Sequence, residues 1–182
     1  TSTSPDADRF KAGEIVQVQI DTFKPSTTSP GPFTNGTYAG ALTATGLTWS
    51  FTPKFSNSLI FLEYFIPLNQ TTGGHNNIFG FSGYRIAPST AQLDSRGTGS
   101  GNRKQFAGGN VRAQNGYDQN DHNLEYFIAF DSPGTTSQCT YGLQVYQEGS
   151  DSGTIYIAHS QGNNSTWGMS SRVIITASEI AQ

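Results

Sequence analysis

The sequence predicts an all-β chain folded as an antiparallel two-sheet β-sandwich of the jelly-roll type. Three observations predict it. Segments that alternate apolar and polar residues at period two recur along the chain, and none sustains the 3.6-residue period of a helix. The aromatic complement is 12 Phe, 8 Tyr and 2 Trp against a single Met, the composition that strands favour. Turns and polar connections rich in Gly, Ser, Thr and Asn separate the apolar segments, as in sandwiches built from many short strands.

Residues 1–12 are polar and read as a linker, which leaves residues 13–182 as a single domain. A chain of 182 residues can bury about 70% of its unfolded surface without covalent staples. The first strand is expected at 14–20, where Val16, Val18 and Ile20 alternate with Gln17 and Gln19. Residues 21–36, rich in Pro, Ser and Thr, form a loop. Leu47, Trp49 and Phe51 then alternate with Thr48, Ser50 and Thr52 in a half-buried strand that ends at Pro53, which lacks a ladder donor. Residues 57–66 are apolar on both faces and belong in the middle of a sheet.

A less regular strand follows at 77–87. Residues 89–121, full of Gly, Ser, Asn and Gln, are expected as a long loop insertion that hides short strands near Phe106 and Val111. Strands return at 123–131, with Leu124, Tyr126, Ile128 and Phe130 on one side, and then at 139–148, 154–159 and 172–178. Between them, Asp131-Ser-Pro-Gly and Glu148-Gly-Ser-Asp-Ser-Gly are turns, because Pro presets φ and Gly tolerates positive φ. The pattern yields eight strands, and ten with the two short ones.

Composition also narrows function. Charged residues make up 13% of the chain and the formal charge is −3, so no broad field draws in nucleic acid or an anionic membrane. The longest apolar run, 59–66, contains Glu63 and is far shorter than the roughly 20 residues of a membrane span. Cys139 is the only cysteine, so it forms neither an intrachain disulfide nor a Cys-based zinc site, and is expected as a buried apolar thiol. The start, Thr1 followed by Ser, Thr and Pro, has no apolar leader segment and reads as a cut from a longer chain.

Catalytic patterns are weak. No Gly-x-Ser-x-Gly elbow occurs. The carboxylates Glu63, Glu125, Asp118, Asp121 and Asp131 are scattered, and His75, His122 and His159 fall in no metal spacing. Asp118-Gln-Asn-Asp-His is oxygen-rich, but it lacks the glycine and distal glutamate of a calcium loop. The reading is a non-enzyme without metal or cofactor. Binding chemistry is better represented. Trp167 stands in Gln161-Gly-Asn-Asn-Ser-Thr-Trp-Gly beside Asn164, and Tyr117 follows Asn115-Gly116. A flat ring among amides and hydroxyls suits a sugar, which offers a C–H face to stack on and hydroxyls to bond. Asp121 and His122 close the polar cluster, and Arg103, next to Lys104, adds a cation in the long loop. The competing reading has Trp167 folded back over the edge of the core.

Five segments carry a resemblance. They are Gly13-Glu-Ile-Val-Gln-Val-Gln, then Thr45-Gly-Leu-Thr-Trp-Ser-Phe-Thr-Pro-Lys-Phe-Ser-Asn-Ser-Leu-Ile-Phe, Phe130-Asp-Ser-Pro-Gly-Thr-Thr-Ser-Gln-Cys-Thr-Tyr, Gly153-Thr-Ile-Tyr-Ile, and residues 171–181. In this order they resemble a β module near the C-termini of fibre and other virion surface proteins of tailed phages, notably marine and cyanobacterial ones. Residues 89–121 have no counterpart in that module, and a lysine usual in its strand near residue 59 is absent. The resemblance implies a non-enzymatic, extracellular virion component, homotrimeric, with variable loops turned outward. On that basis the expected function is a structural and adhesive domain that contacts a host surface glycan or receptor, with other virion proteins held through a further N-terminal region. The alternative is a capsid decoration or assembly protein that binds other virion proteins. A cellular lectin-like module and a glycan-cleaving enzyme are the remaining rivals.

Overall fold

The computed structural model of the protein describes residues 10–23, 33–34, 43–71, 77–93, 107–112, 122–148, 154–158 and 171–182. All regular elements among them are strands: β1 (Ile15–Phe23), β2 (Phe33–Thr34), β3 (Thr43–Phe51), β4 (Leu59–Thr71), β5 (Asn77–Ala87), β6 (Ala91–Gln92), β7 (Gly108–Arg112), β8 (His122–Asp131), β9 (Cys139–Glu148), β10 (Thr154–Ile157) and β11 (Val173–Ile180). The predicted strands at 77–87 and 139–148 keep their bounds. β1 runs three residues further, the short strand expected near Val111 is β7, and the stretch expected as a long loop at 89–121 also holds β6; Phe106 lies outside the described residues.

Every pairing is antiparallel. One sheet runs β1-β11-β4, with β8 on the far edge of β4; β10 continues beside β4 beyond β11 and carries β2. The other runs β3-β9-β5, with β6 and β7 sharing the far edge of β5. Without the short β2, β6 and β10, the order is β1-β11-β4-β8 against β3-β9-β5-β7. That is the eight-stranded jelly roll, and the predicted fold is the observed one.

As its two apolar faces predict, β4 is central. Its inward residues Ile60, Leu62, Tyr64 and Ile66 are fully buried. Aromatic rings fill the space between the sheets: Tyr64 stacks on Phe127 at 4.5 Å and Trp49 on Tyr141 at 4.7 Å, with Trp49 edge-on to Tyr64. Gly83 on β5 is required by this packing, because a Cβ there would lie 2.6 Å from the Tyr64 hydroxyl. Pro67 is tolerated inside a central strand for a topological reason. Its carbonyl accepts from Ala158 N, so its missing N–H faces the same side, where β11 has ended at Phe65 and β10 begins at Leu68.

Two strands present the phase opposite to a simple apolar-inside rule. In β1, Val18 and Ile20 are 53% and 64% exposed, while Gln17 and Gln19 turn inward. In β8, Leu124, Tyr126 and Ile128 are exposed, and Phe127 and Ala129 are buried. For β1 the cause is its place at the seam. It is the last strand of its sheet and lies beside β3, an edge strand whose outward carbonyls have no ladder partner. The Gln17 and Gln19 amides donate to Thr52 O and Ser50 O, each at 2.8 Å, and close the two sheets along that side.

Candidate functional site

Two sets of buried polar side chains, around Glu179 and around Asp131, hold one end of the sandwich shut. The turn between β3 and β4 wraps around the carboxylate of Glu179, which is fully buried. Oε1 of Glu179 accepts from Lys54 N at 2.9 Å, Phe55 N at 2.9 Å and Ser58 Oγ at 2.7 Å. Its Oε2 accepts from Gln17 Nε2 at 2.6 Å and Lys54 N at 3.0 Å. Four donor groups thus replace the water that a carboxylate loses on burial. The signal for this site was present in the sequence: Glu179 continues the inward phase of Val173, Ile175 and Ala177 in β11. A carboxylate in such a phase demands donors, and the Lys-Phe-Ser-Asn-Ser turn supplies them.

A second pair bridges the sheets at the same end. Arg85 on β5 donates from Nη1 to both Asp131 oxygens on β8 at 2.8 Å, and from Nε to Ser89 O at 3.1 Å. Tyr141 on β9 donates its hydroxyl to Asp131 Oδ2 at 2.9 Å. Burial, with the Asp131 charge adding to it, pushes the Tyr141 hydroxyl far above its ordinary value, so it remains a donor. Burial also pushes up the Cys139 thiol, which is fully enclosed, as expected of an apolar cysteine.

Among the described residues the scattered carboxylates do not converge. Glu63 lies on the outer face of its sheet and accepts from Tyr126 Oη at 3.0 Å, a bond that also pushes the Tyr126 hydroxyl up. Glu125 is on the inner side of β8, where burial pushes its carboxyl up. Asp131 is on that same side but six residues along, about 20 Å at the rise of a strand. Sugar-cleaving carboxylate pairs sit within about 10 Å of each other. Asp118 and Asp121 lie outside the described residues. Among the described residues no group of three His, Cys, Asp or Glu gathers in a metal-binding arrangement, and no helix is long and apolar enough to cross a membrane.

The opposite end gathers connections. The register pairs Thr71 with Thr154, Asn77 with Arg112, Ile78 with Glu148, and Asn69 with His122. β3 begins there too, with Thr43 opposite Val145. The segments 35–42, 72–76, 113–121 and 149–153 therefore all join strand ends at this end. Segment 159–170 leaves from Ala158 and returns at Ser171, whose N–H donates to Ala158 O at 2.8 Å, alongside the upper part of β4.

Of the ligand-binding candidates, Trp167, Asn164, Tyr117, Asp121 and Arg103 lie outside the described residues. His122 opens β8, its backbone opposite Asn69 at the gathered end. The connections that carry Tyr117 and Asp121 start and finish at that end. Arg103 belongs to segment 94–106, which joins Leu93 and Ala107 beside the middle of β5, where those residues donate to Gly83 O and Phe81 O.

What the sequence reading left out is the outer face of the β1-β11-β4-β8 sheet. Across it run the rows Thr22–Ile174–Phe65–Tyr126, Ile20–Thr176–Glu63–Ile128 and Val18–Ser178–Phe61–Phe130. Phe65 and Tyr126 pack at 4.8 Å, and Phe61 and Phe130 at 5.3 Å. The signal was the same alternation that located the strands, and only the direction of the apolar side was missing from it.

No family model matches the chain, and no curated protein matches it. Among solved structures it is similar to chains in the structures of infectious bursal disease virus strains Gx and Gt. Sequence identities are 13% and 14%, and TM-scores 0.38 and 0.33; each likeness covers 92% of this chain and 39% of the other. The chain spans about two fifths of those chains, and likeness at this level carries no argument about function.

Proposed function

We propose that the chain is a non-enzymatic structural and adhesive domain of a virion surface, which contacts a host surface glycan through the polar connections at one end of its jelly roll. The observation that carries this reading is the division of the molecule into two ends. One end is closed by short turns with satisfied buried charges at Glu179 and Asp131. The other collects the connections 35–42, 72–76, 113–121 and 149–153, whose Asn, Ser, Thr and Tyr residues suit sugar hydroxyls. The ordered segments that resemble phage virion modules support the same reading. A trimer would multiply weak contacts into avidity.

The test is binding of the fluorescently tagged chain to candidate host cells, before and after removal of surface glycan. Tyr117→Ala and Trp167→Ala are expected to lower cell binding tenfold or more and to leave the denaturant midpoint unchanged. Binding that survives glycan removal, or capture on virions without cell binding, overturns the proposal. The latter result would put the assembly-protein reading in its place.

A further inference from the structure

We infer that the outer face of the β1-β11-β4-β8 sheet is an interface, covered by a second copy of this chain. Its edges are made of solvent-facing apolar side chains: Ile20 is 64% exposed, Leu124 63%, Val18 53% and Tyr126 50%. A sheet that meets water on one face normally shows polar residues there. Here Gln17 and Gln19 of β1 are turned inward to the seam, and Val18 and Ile20 outward.

The size of the face fits a copy of the chain. Four strands about 4.8 Å apart and nine residues long at about 3.3 Å each span on the order of 550 Å² in projection. Side-chain relief brings the accessible area towards the ~800 Å² that each partner contributes to a stable interface. Scattered surface residues on a monomer form smaller or broken patches.

The charge pattern fits as well. Glu63 is the single ionisable carboxylate in the three rows, no cation accompanies it, and its oxygen is already engaged by Tyr126 Oη at 3.0 Å within the same chain. Exposed Arg172 borders the face in the same outward phase as Ile174, and the three rows themselves hold no cation that would call for an anionic ligand. A continuous hydrogen-bonded ladder offers ridges of side chains to another sheet, the packing the same sheet already makes on its inner side. This inference does not depend on host contact: failure to bind any cell leaves it standing.

The test is the mass of the full chain in solution by sedimentation equilibrium, compared with the double substitution Ile20→Glu with Ile128→Glu. Both positions are exposed in the single chain, 64% and 37%, so the variant is expected to keep its circular dichroism and cooperative unfolding. The milder pair Ile20→Ser with Ile128→Ser is the second variant. A wild-type mass of two or more chains is expected, with the Glu pair as single chains and the Ser pair weakened at least tenfold. A wild-type mass of one chain overturns the proposal, and so does an assembly that neither variant weakens.

Discussion

Arg85 and Asp131 keep side-chain exposures of only 9% and 8%, and each is held by more than its partner. The guanidinium reaches Ser89 O as well as the carboxylate, and the carboxylate accepts from Tyr141 Oη. A buried pair of this kind adds little over a well-packed apolar pair, yet removing one member strands a charge. Asp131→Ala is therefore expected to cost about 3–5 kcal/mol. The double substitution Arg85→Met with Asp131→Leu should recover most of that loss. Urea unfolding of the wild type, Arg85→Met, Asp131→Leu and the double variant gives the coupling; additive losses would show that the pair does not act as a unit. The importance of these residues was not legible in the sequence. Asp131 reads there as the start of an Asp-Ser-Pro-Gly turn, and its cation comes from a strand 46 residues away.

The bond between a strand and a turn is decided one level up. Glu179 is the penultimate residue of β11, and the turn of residues 52–58 closes on its carboxylate with two backbone N–H groups and the Ser58 hydroxyl, while Gln17 joins from β1. One side chain thus ties the last strand, the first strand and the β3–β4 turn. Glu179→Ala leaves those donors buried without an acceptor, at about 1–3 kcal/mol each, so a loss of at least ~3 kcal/mol in denaturant unfolding is expected. Ser58→Ala removes a single donor and should cost about 1 kcal/mol. A Glu179→Ala loss no larger than that of Ser58→Ala would refute the cap. Strand positions were legible at this scale because alternation is a local property of the backbone: 77–87 and 139–148 emerged unchanged. β7 was harder to see, since Gly108-Gly-Asn-Val-Arg has one apolar residue and owes its strand to pairing with Asn77–Phe81 of β5.

For the whole molecule, the first and last strands meet in one sheet. β11 lies between β1 and β4, pairing with both along most of its length. Truncation after residue 172 removes Val173, Ile175 and Ala177 from the core, leaves β1 without a neighbour and uncovers one edge of β4. The truncated chain is expected to lose its cooperative unfolding transition, measured by circular dichroism against urea; a retained transition would show that β11 is dispensable. Such dependence follows from a topology in which strands distant in sequence are neighbours in space.

The amino-acid sequence by itself determined the all-β class, most strand positions and the central place of β4, because side-chain alternation and turn chemistry act over a few residues. Only the tertiary structure decided which side of β1 and β8 faces the core, what Glu179 and Asp131 hold, and which connections share an end. Alternation states that a strand has two faces, but not which of them meets the other sheet. For β1 that choice follows the carbonyls of Ser50 and Thr52 at the end of β3, which accept from the Gln19 and Gln17 amides on its inner side.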